Sequence, residues 1–347
     1  MTELPEPSTA YPARSGPVPT LSVLDLAPVV NGSTPAQALR NSLDLAQCVE
    51  RLGYHRYWVA EHHNMPGIAS SSPAVLLAHV ASVTESIRIG SGGVMLPNHA
   101  PLGVVEQFGM LEALHPGRVD LGIGRAPGTD PLTAHALRRG NGPRGADDFP
   151  DQLDQLFGFF GGDFAPDHPY RMIHASPGRG YRPDIWLLGS SDYSARAAAE
   201  LGLPFSFAYH FAVDGLELAL DAYRSNFRPS PYLAKPYVML GVNAVAAESE
   251  SHARYLAAPG ALAILRLRQG NPGYYPTADE AAEYSFTPSE REFVKGWTAS
   301  HIVGTPDAVR AGFVDLAART GSDELMITTM VPDHAERLRS YELIAKA

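Results

Sequence analysis

The chain of 347 residues has a single cysteine, Cys48, so no disulfide can form within it. Such usage suits a reducing compartment, and a cytoplasmic location is the expectation. Cys48 falls inside a helical pattern and reads as a small buried apolar residue. Positive charge is also short: 27 Lys and Arg stand against 37 Asp and Glu, a net charge of −10. The basic footprint of a nucleic-acid binder is missing. Acidity of this size serves solubility, so an anionic ligand must be held locally, by a helix N-terminus or one or two arginines. No apolar run approaches the roughly 18 residues needed to span a membrane. The N-terminus lacks the basic start and apolar stretch of a signal peptide. Short-period repeats are absent, and no GxGxxG follows the first strand pattern.

Apolar residues make up 45% of the chain, enough for a large core, while charged residues reach only 18%. The length lies within the roughly 250 to 400 residues of an α/β barrel. Residues 1–20 are rich in Pro, Ser and Thr and read as a mobile tail. From residue 21 to 347, strand-like and helix-like segments alternate as one domain, the rhythm of a parallel α/β fold. Strand patterns fall at 21–28, 54–63, 87–97, 118–128, 184–191, 204–211, 237–247 and 324–330. Thr34, Pro35 and Gly53 bracket the first helix as N-cap, first-turn residue and stop, and Thr305, Pro306 and Gly321 repeat the device near the end. Further helices are expected at 72–84, 102–117, 148–161, 193–202 and 215–227, and after Asp333. Eight strands, each followed by a helix, predict a (β/α)₈ TIM barrel rather than an open doubly wound sheet. Residues 248–303 break the rhythm after the seventh strand, which places an insertion at the C-terminal face. Either it is a lid or it is an exposed, partly disordered excursion, and its Tyr274, Tyr275 and Trp297 either give the site an aromatic wall or pack locally.

Chemistry in a barrel belongs where strands end. Four such places are unusual. Glu61-His62-His63-Asn64 closes the second strand; HH is a poor metal spacing, and one histidine as proton carrier is the better reading. Gly92 and Gly93 interrupt the third strand, where either a bend or a ligand lying against the backbone explains them. Gly122 and Gly124 lead to Arg125, a guanidinium suited to phosphate. Gly189, Ser190 and Ser191 open a helix, where capping by Ser191 or Asp192 and anion binding are both possible. Tyr209 and His210 end the sixth strand, lining a pocket or packing there.

In sequence order, AEHHN, IGSGGVMLPNHAPLGVVEQFGMLEALHPGRVDLGIGRAPGTD, WLLGSSDYSARAAAELGLPFSFAYHF and IVGTPDAVRAGFVDLAARTGSDELMITT resemble the bacterial-luciferase-like flavin-dependent oxidoreductases. The resemblance runs from about residue 21 onward and favours the flavin branch over the deazaflavin (F420) branch. It implies FMN at the C-terminal mouth, with the ring beside a non-proline cis peptide at Gly92-Gly93. The phosphate would meet Arg125 and the Gly189-Ser190-Ser191 loop. His62 takes the place of the family's catalytic histidine. Asp25, Glu61, Gln107 and His210 are the other implied cofactor-site residues. No metal is implied, and a homodimer is. The expected activity is a two-component monooxygenase. A transient flavin reductase would supply reduced FMN, and O₂ and a small organic substrate would be consumed. The chain carries no nicotinamide fingerprint of its own. Two other readings remain open, an F420-dependent hydride-transfer enzyme and a flavin-binding protein without turnover; a metal-dependent barrel hydrolase is more distant.

Overall fold

A computed structural model describes residues 11–12, 16–138, 148–161 and 164–346. Its strands are β1 (Thr20–Asp25), β2 (Arg56–Val59), β3 (Arg88–Met95), β4 (Val119–Gly124), β5 (Asp184–Gly189), β6 (Phe205–Phe207), β7 (Val238–Ala246), β8 (Ile302–Gly304) and β9 (Glu324–Thr328). The sheet order is β6-β5-β4-β3-β2-β1-β9-β7-β8, and a further β6–β7 pairing closes it. All these pairings are parallel. The expected eight-stranded barrel is therefore present, with β9 as its eighth member. Short β8 pairs Ile302 with Ala244 and extends β7 outside the ring.

The helices are α1 (Pro35–Arg51), α2 (Pro73–Val83), α3 (Pro101–Leu114), α4 (Pro131–Arg138), α5 (Phe149–Phe160), α6 (Asp192–Leu201), α7 (Leu216–Asn226), α8 (Glu250–Arg268), α9 (Ala278–Glu283), α10 (Pro288–Thr298), α11 (Pro306–Thr320) and α12 (His334–Ala345). Local chemistry starts and stops them as expected. The hydroxyls of Thr34 and Thr305 accept from the N–H of Gln37 and Ala308. Gly53 and Gly321 take positive φ where the chain leaves α1 and α11. Helix α4 escaped the sequence reading, although Asp130 accepts from the N–H of Leu132 and Thr133, both at 3.0 Å, and so caps it.

Strand residues alternate between two cores. Outward residues such as Val23, Tyr57, Ile89 and Leu121 pack under the helices, and Cys48 is buried with α1. Inward residues Leu24, Trp58, Trp186, Met239 and Met326 fill the barrel. Beneath them lies a charged layer: Arg56 reaches Asp120 at 2.9 Å and Glu324 at 3.0 Å, all essentially without solvent contact. Tyr11 tilts against Tyr237 at 4.9 Å, with the Arg56 guanidinium 5.6 Å from its ring. That residue is thus packed into the barrel rather than loose, and Thr20 already belongs to β1; tail residues 1–10 and 13–15 lie outside those described.

Residues 248–303 form helices α8, α9 and α10 rather than an irregular excursion. Tyr275 pins them to the exit of β1: its N–H donates to Val29 at 2.8 Å, its carbonyl accepts from Asn31 at 2.8 Å, and its hydroxyl donates to the Met330 carbonyl at 2.6 Å. No described helix is long and apolar enough to cross a membrane.

Candidate active site

The C-terminal ends of the strands frame a cavity of about 420 Å³. One wall is β3, where the Gly92-Gly93 peptide bond is cis. A Cβ at Gly93 would fall 2.8 Å from the Gly122 oxygen, and one at Gly92 would fall 2.7 Å from Leu24. The backbone itself is therefore the wall, and a flat ligand can lie directly against it. Leu24, Trp58, Leu188, Phe207 and Met326 supply the apolar remainder. A second hollow, of about 340 Å³, lies beside α5 among exposed Arg171, Arg179 and His174. None of its lining residues ends a strand, where barrel chemistry belongs.

His62 lines the cavity just past the end of β2. Its Nδ1 lies 3.3 Å from the Gly128 carbonyl. A carbonyl only accepts, so Nδ1 carries the proton and Nε2 keeps its lone pair. Burial pushes His62 below its ordinary value, and the Gly128 carbonyl and Glu61 only partly oppose it. The imidazole is therefore neutral near pH 7 and can accept a proton at Nε2.

Glu61 does not line the cavity but organises its rim. It is fully buried; His63 and His99 each approach its Oε1 at 2.8 Å, and the Met95 N–H donates to Oε2 at 3.1 Å. Burial alone would raise this carboxyl, but those partners outweigh it and hold it low. Glu61 so ties the exits of β2 and β3 together. It also draws His63 to itself while His62 faces the cavity.

Just past the end of β4, Arg125 lines the cavity with its guanidinium 3.9 Å from the centre of the Tyr193 ring. Among the described residues it makes no ion pair. Ser191 occupies the N-cap of α6, yet its side chain makes no capping bond. Asp192 is turned to Arg196 at 3.0 Å. Among the described residues no side chain accepts from the first N–H groups of α6, which lie beside Gly189 and Ser190 at the cavity that Arg125 also lines. That is the donor set of a phosphate site.

Two more of the expected residues stay out. Asp25 points outward from β1, between α1 and α12. There Arg337 donates to it at 2.8 Å and the Tyr57 hydroxyl at 2.6 Å. Burial would raise its carboxyl, but Arg337, Ser42 and Tyr57 hold it low. Its other task is to accept the Ala27 N–H at 2.9 Å, which fixes Ala27 at a φ of 49°. Gln107 is exposed on α3, because Val104, Val105 and Phe108 take the buried face. His210 does line the cavity, whereas Tyr209, Tyr274, Tyr275 and Trp297 do not. Among the described residues no cluster of three or more His, Cys, Asp or Glu side chains could hold a metal. Asn243, which holds the His210 carbonyl, and His301, which bonds Asn243, carried no signal beyond their chain positions; the inward apolar residues were readable from strand alternation alone.

A closed parallel barrel with a cavity at its C-terminal mouth, walled on one side by Gly92 and Gly93 and lined by Arg125, defines a TIM-barrel protein with its candidate site where barrel chemistry belongs. Residues 20–324 match the model of the luciferase-like monooxygenase family. A luciferase-like monooxygenase of Escherichia coli strain K12 is 46% identical over 93% of this chain and 95% of its own length. An N-acetyl-S-alkylcysteine monooxygenase of Bacillus subtilis is 34% identical over 94% of this chain and 97% of its own. The crystal structure of apo-MsnO8 superposes with a TM-score of 0.83 at 39% identity, covering 94% of this chain and 98% of that one. The chain belongs to the bacterial luciferase-like monooxygenase family, a family of flavin-dependent oxidoreductases.

Proposed function

We propose that this chain is the oxygenating component of a two-component monooxygenase that uses reduced FMN and O₂ to oxidise a small organic substrate. One observation carries the reading: a backbone-walled slot at Gly92-Gly93 opens toward an unpaired Arg125 beside the open N-terminus of α6. Those are the parts needed by a flat ring joined to one phosphate. The described mouth offers this single unpaired arginine, short of what the polycarboxylate tail of F420 asks for. When bound, reduced FMN supplies the electrons and the place where O₂ is activated. Arg125, Ser190, Ser191 and the α6 N–H groups would hold the phosphate. Apolar walls from Leu24, Trp58, Phe207 and Met326 would keep water from the ring. His62 takes up or returns a proton at Nε2, and His210 forms the wall across from β3. A separate flavin reductase would deliver the reduced flavin in the cytoplasm. Val75, Met110 and Leu114 stand exposed on α2 and α3, an apolar surface suited to a homodimer; light scattering tests it, and a monomeric mass refutes it.

The deciding experiment is anaerobic titration with reduced FMN, followed by admission of O₂ while the absorbance spectrum is recorded. Saturable binding and a transient band distinct from oxidised and reduced flavin are expected. Failure to bind FMN in either redox state, with F420 binding instead, overturns the proposal.

A further inference from the structure

A pair of side chains links the insertion to the wall of the cavity. Asn243 lies on β7 two residues after Gly241 and therefore on the same inward face. Its Nδ2 lies 2.8 Å from the His210 carbonyl and 2.8 Å from Nε2 of His301, which sits between α10 and β8. The carbonyl can only accept, so the amide nitrogen must face it, and its second hydrogen is left for His301. His301 therefore accepts at Nε2 as a neutral imidazole, and burial lowers it to about 4. The ring of Trp297, from α10, meets the His301 ring edge-on at 4.3 Å.

His210 needs this support. Its ring packs against Gly241, where any Cβ would collide with Nδ1. That Nδ1 is buried against the Gly241 backbone, and no side chain among the described residues bonds it. Burial lowers His210 to about 4 as well, so no ion pair holds the ring near neutral pH. Its ring is placed by packing against Gly241 and, edge-on at 4.7 Å, against Phe211, while its backbone is held by the tether on its own carbonyl.

We propose that His301 is a positioning residue. Docking of the insertion brings His301 onto Asn243, Asn243 fixes the backbone of His210, and the cavity-facing imidazole is placed by that chain. The role of that imidazole rests on the reading of the cavity as a reduced-flavin site; the mechanical coupling does not.

The test compares His301→Phe with His301→Gln in the full chain. Phenylalanine keeps a ring against Trp297 but removes the acceptor; glutamine keeps an acceptor near the place of Nε2. Hydrogen exchange is followed by mass spectrometry over residues 205–212 and 297–304, with melting curves to show that each variant folds. Losing a buried bond of this kind should speed exchange about tenfold in both segments of the phenylalanine variant, and glutamine should restore both. Unchanged exchange at 205–212 in the phenylalanine variant overturns the proposal, as does a glutamine variant that behaves like phenylalanine. In parallel, the O₂-dependent reoxidation rate of bound reduced FMN should change with phenylalanine and recover with glutamine. If the unmodified chain binds no reduced FMN, the functional reading fails, while the exchange comparison still decides the positioning role.

Discussion

Replacing Arg125 with alanine should weaken FMN and leave riboflavin untouched, since the two ligands share a ring and differ by the phosphate. The substitution is clean because Arg125 has no carboxylate partner among the described residues to leave unpaired, and its guanidinium rests on the Tyr193 ring at 3.9 Å. A hydrogen bond to a charged group contributes about 1.5–3 kcal/mol. With each 1.4 kcal/mol worth tenfold, the Kd for FMN should rise about 10- to 150-fold. Tyr193→Ala should give a smaller loss, since a cation–π contact at an open site is worth about 0.5–1 kcal/mol. The assay is a paired anaerobic titration of reduced FMN and reduced riboflavin against parent and variants, read by flavin fluorescence or calorimetry. Equal weakening of both ligands would place Arg125 at the ring rather than the phosphate. No weakening of either would refute the anion site.

His62→Ala should lower turnover by about 10²- to 10⁴-fold with reduced FMN still bound, as expected for loss of a positioned proton carrier; unchanged turnover removes His62 from the chemistry. Glu324→Ala takes one of two carboxylates from buried Arg56 and should destabilise the fold by about 3–5 kcal/mol in denaturant titration. A loss under about 1 kcal/mol would mean that the layer repacks or hydrates freely. Burial raises Glu112 from 4.5 to about 7. A raised carboxyl favours the folded chain while protonated; that contribution is intact below 4.5 and is lost as pH rises through about 7. Glu112→Gln should therefore melt above the parent at about pH 8 and close to it at about pH 4.5. Equal shifts at both would contradict the assigned titration.

Much of this protein was legible because its signals are local. Thr34 with Pro35 and Gly53, or Thr305 with Pro306 and Gly321, act within a few bonds of where they stand, so they start and stop helices whatever surrounds them. The paired glycines at 92 and 93 and the loop from Gly189 to Ser191 could be flagged for the same reason: side chains are missing, or N–H groups are free, at a strand end. Resemblance to a family supplied the cis peptide and the choice of His62 over His63.

The direction in which a residue faces, and its partner across the barrel, were decided only by the tertiary structure. The family resemblance put Asp25 at the cofactor site, but strand alternation turns it outward to Arg337, 312 positions later in the chain. Arg56 passed as an ordinary strand residue, although closure of the sheet surrounds it with Asp120, Glu324 and two aromatic rings. His301 and Asn243 have no motif at all; they meet because the insertion folds back over β7. Sequence alone set the order of elements and the small residues at the strand ends, because those depend on the neighbouring backbone. The buried charge layer, the rim held by Glu61 and the tether of His210 needed the closed barrel, because Coulomb attraction and hydrogen bonding depend on distance in space rather than along the chain.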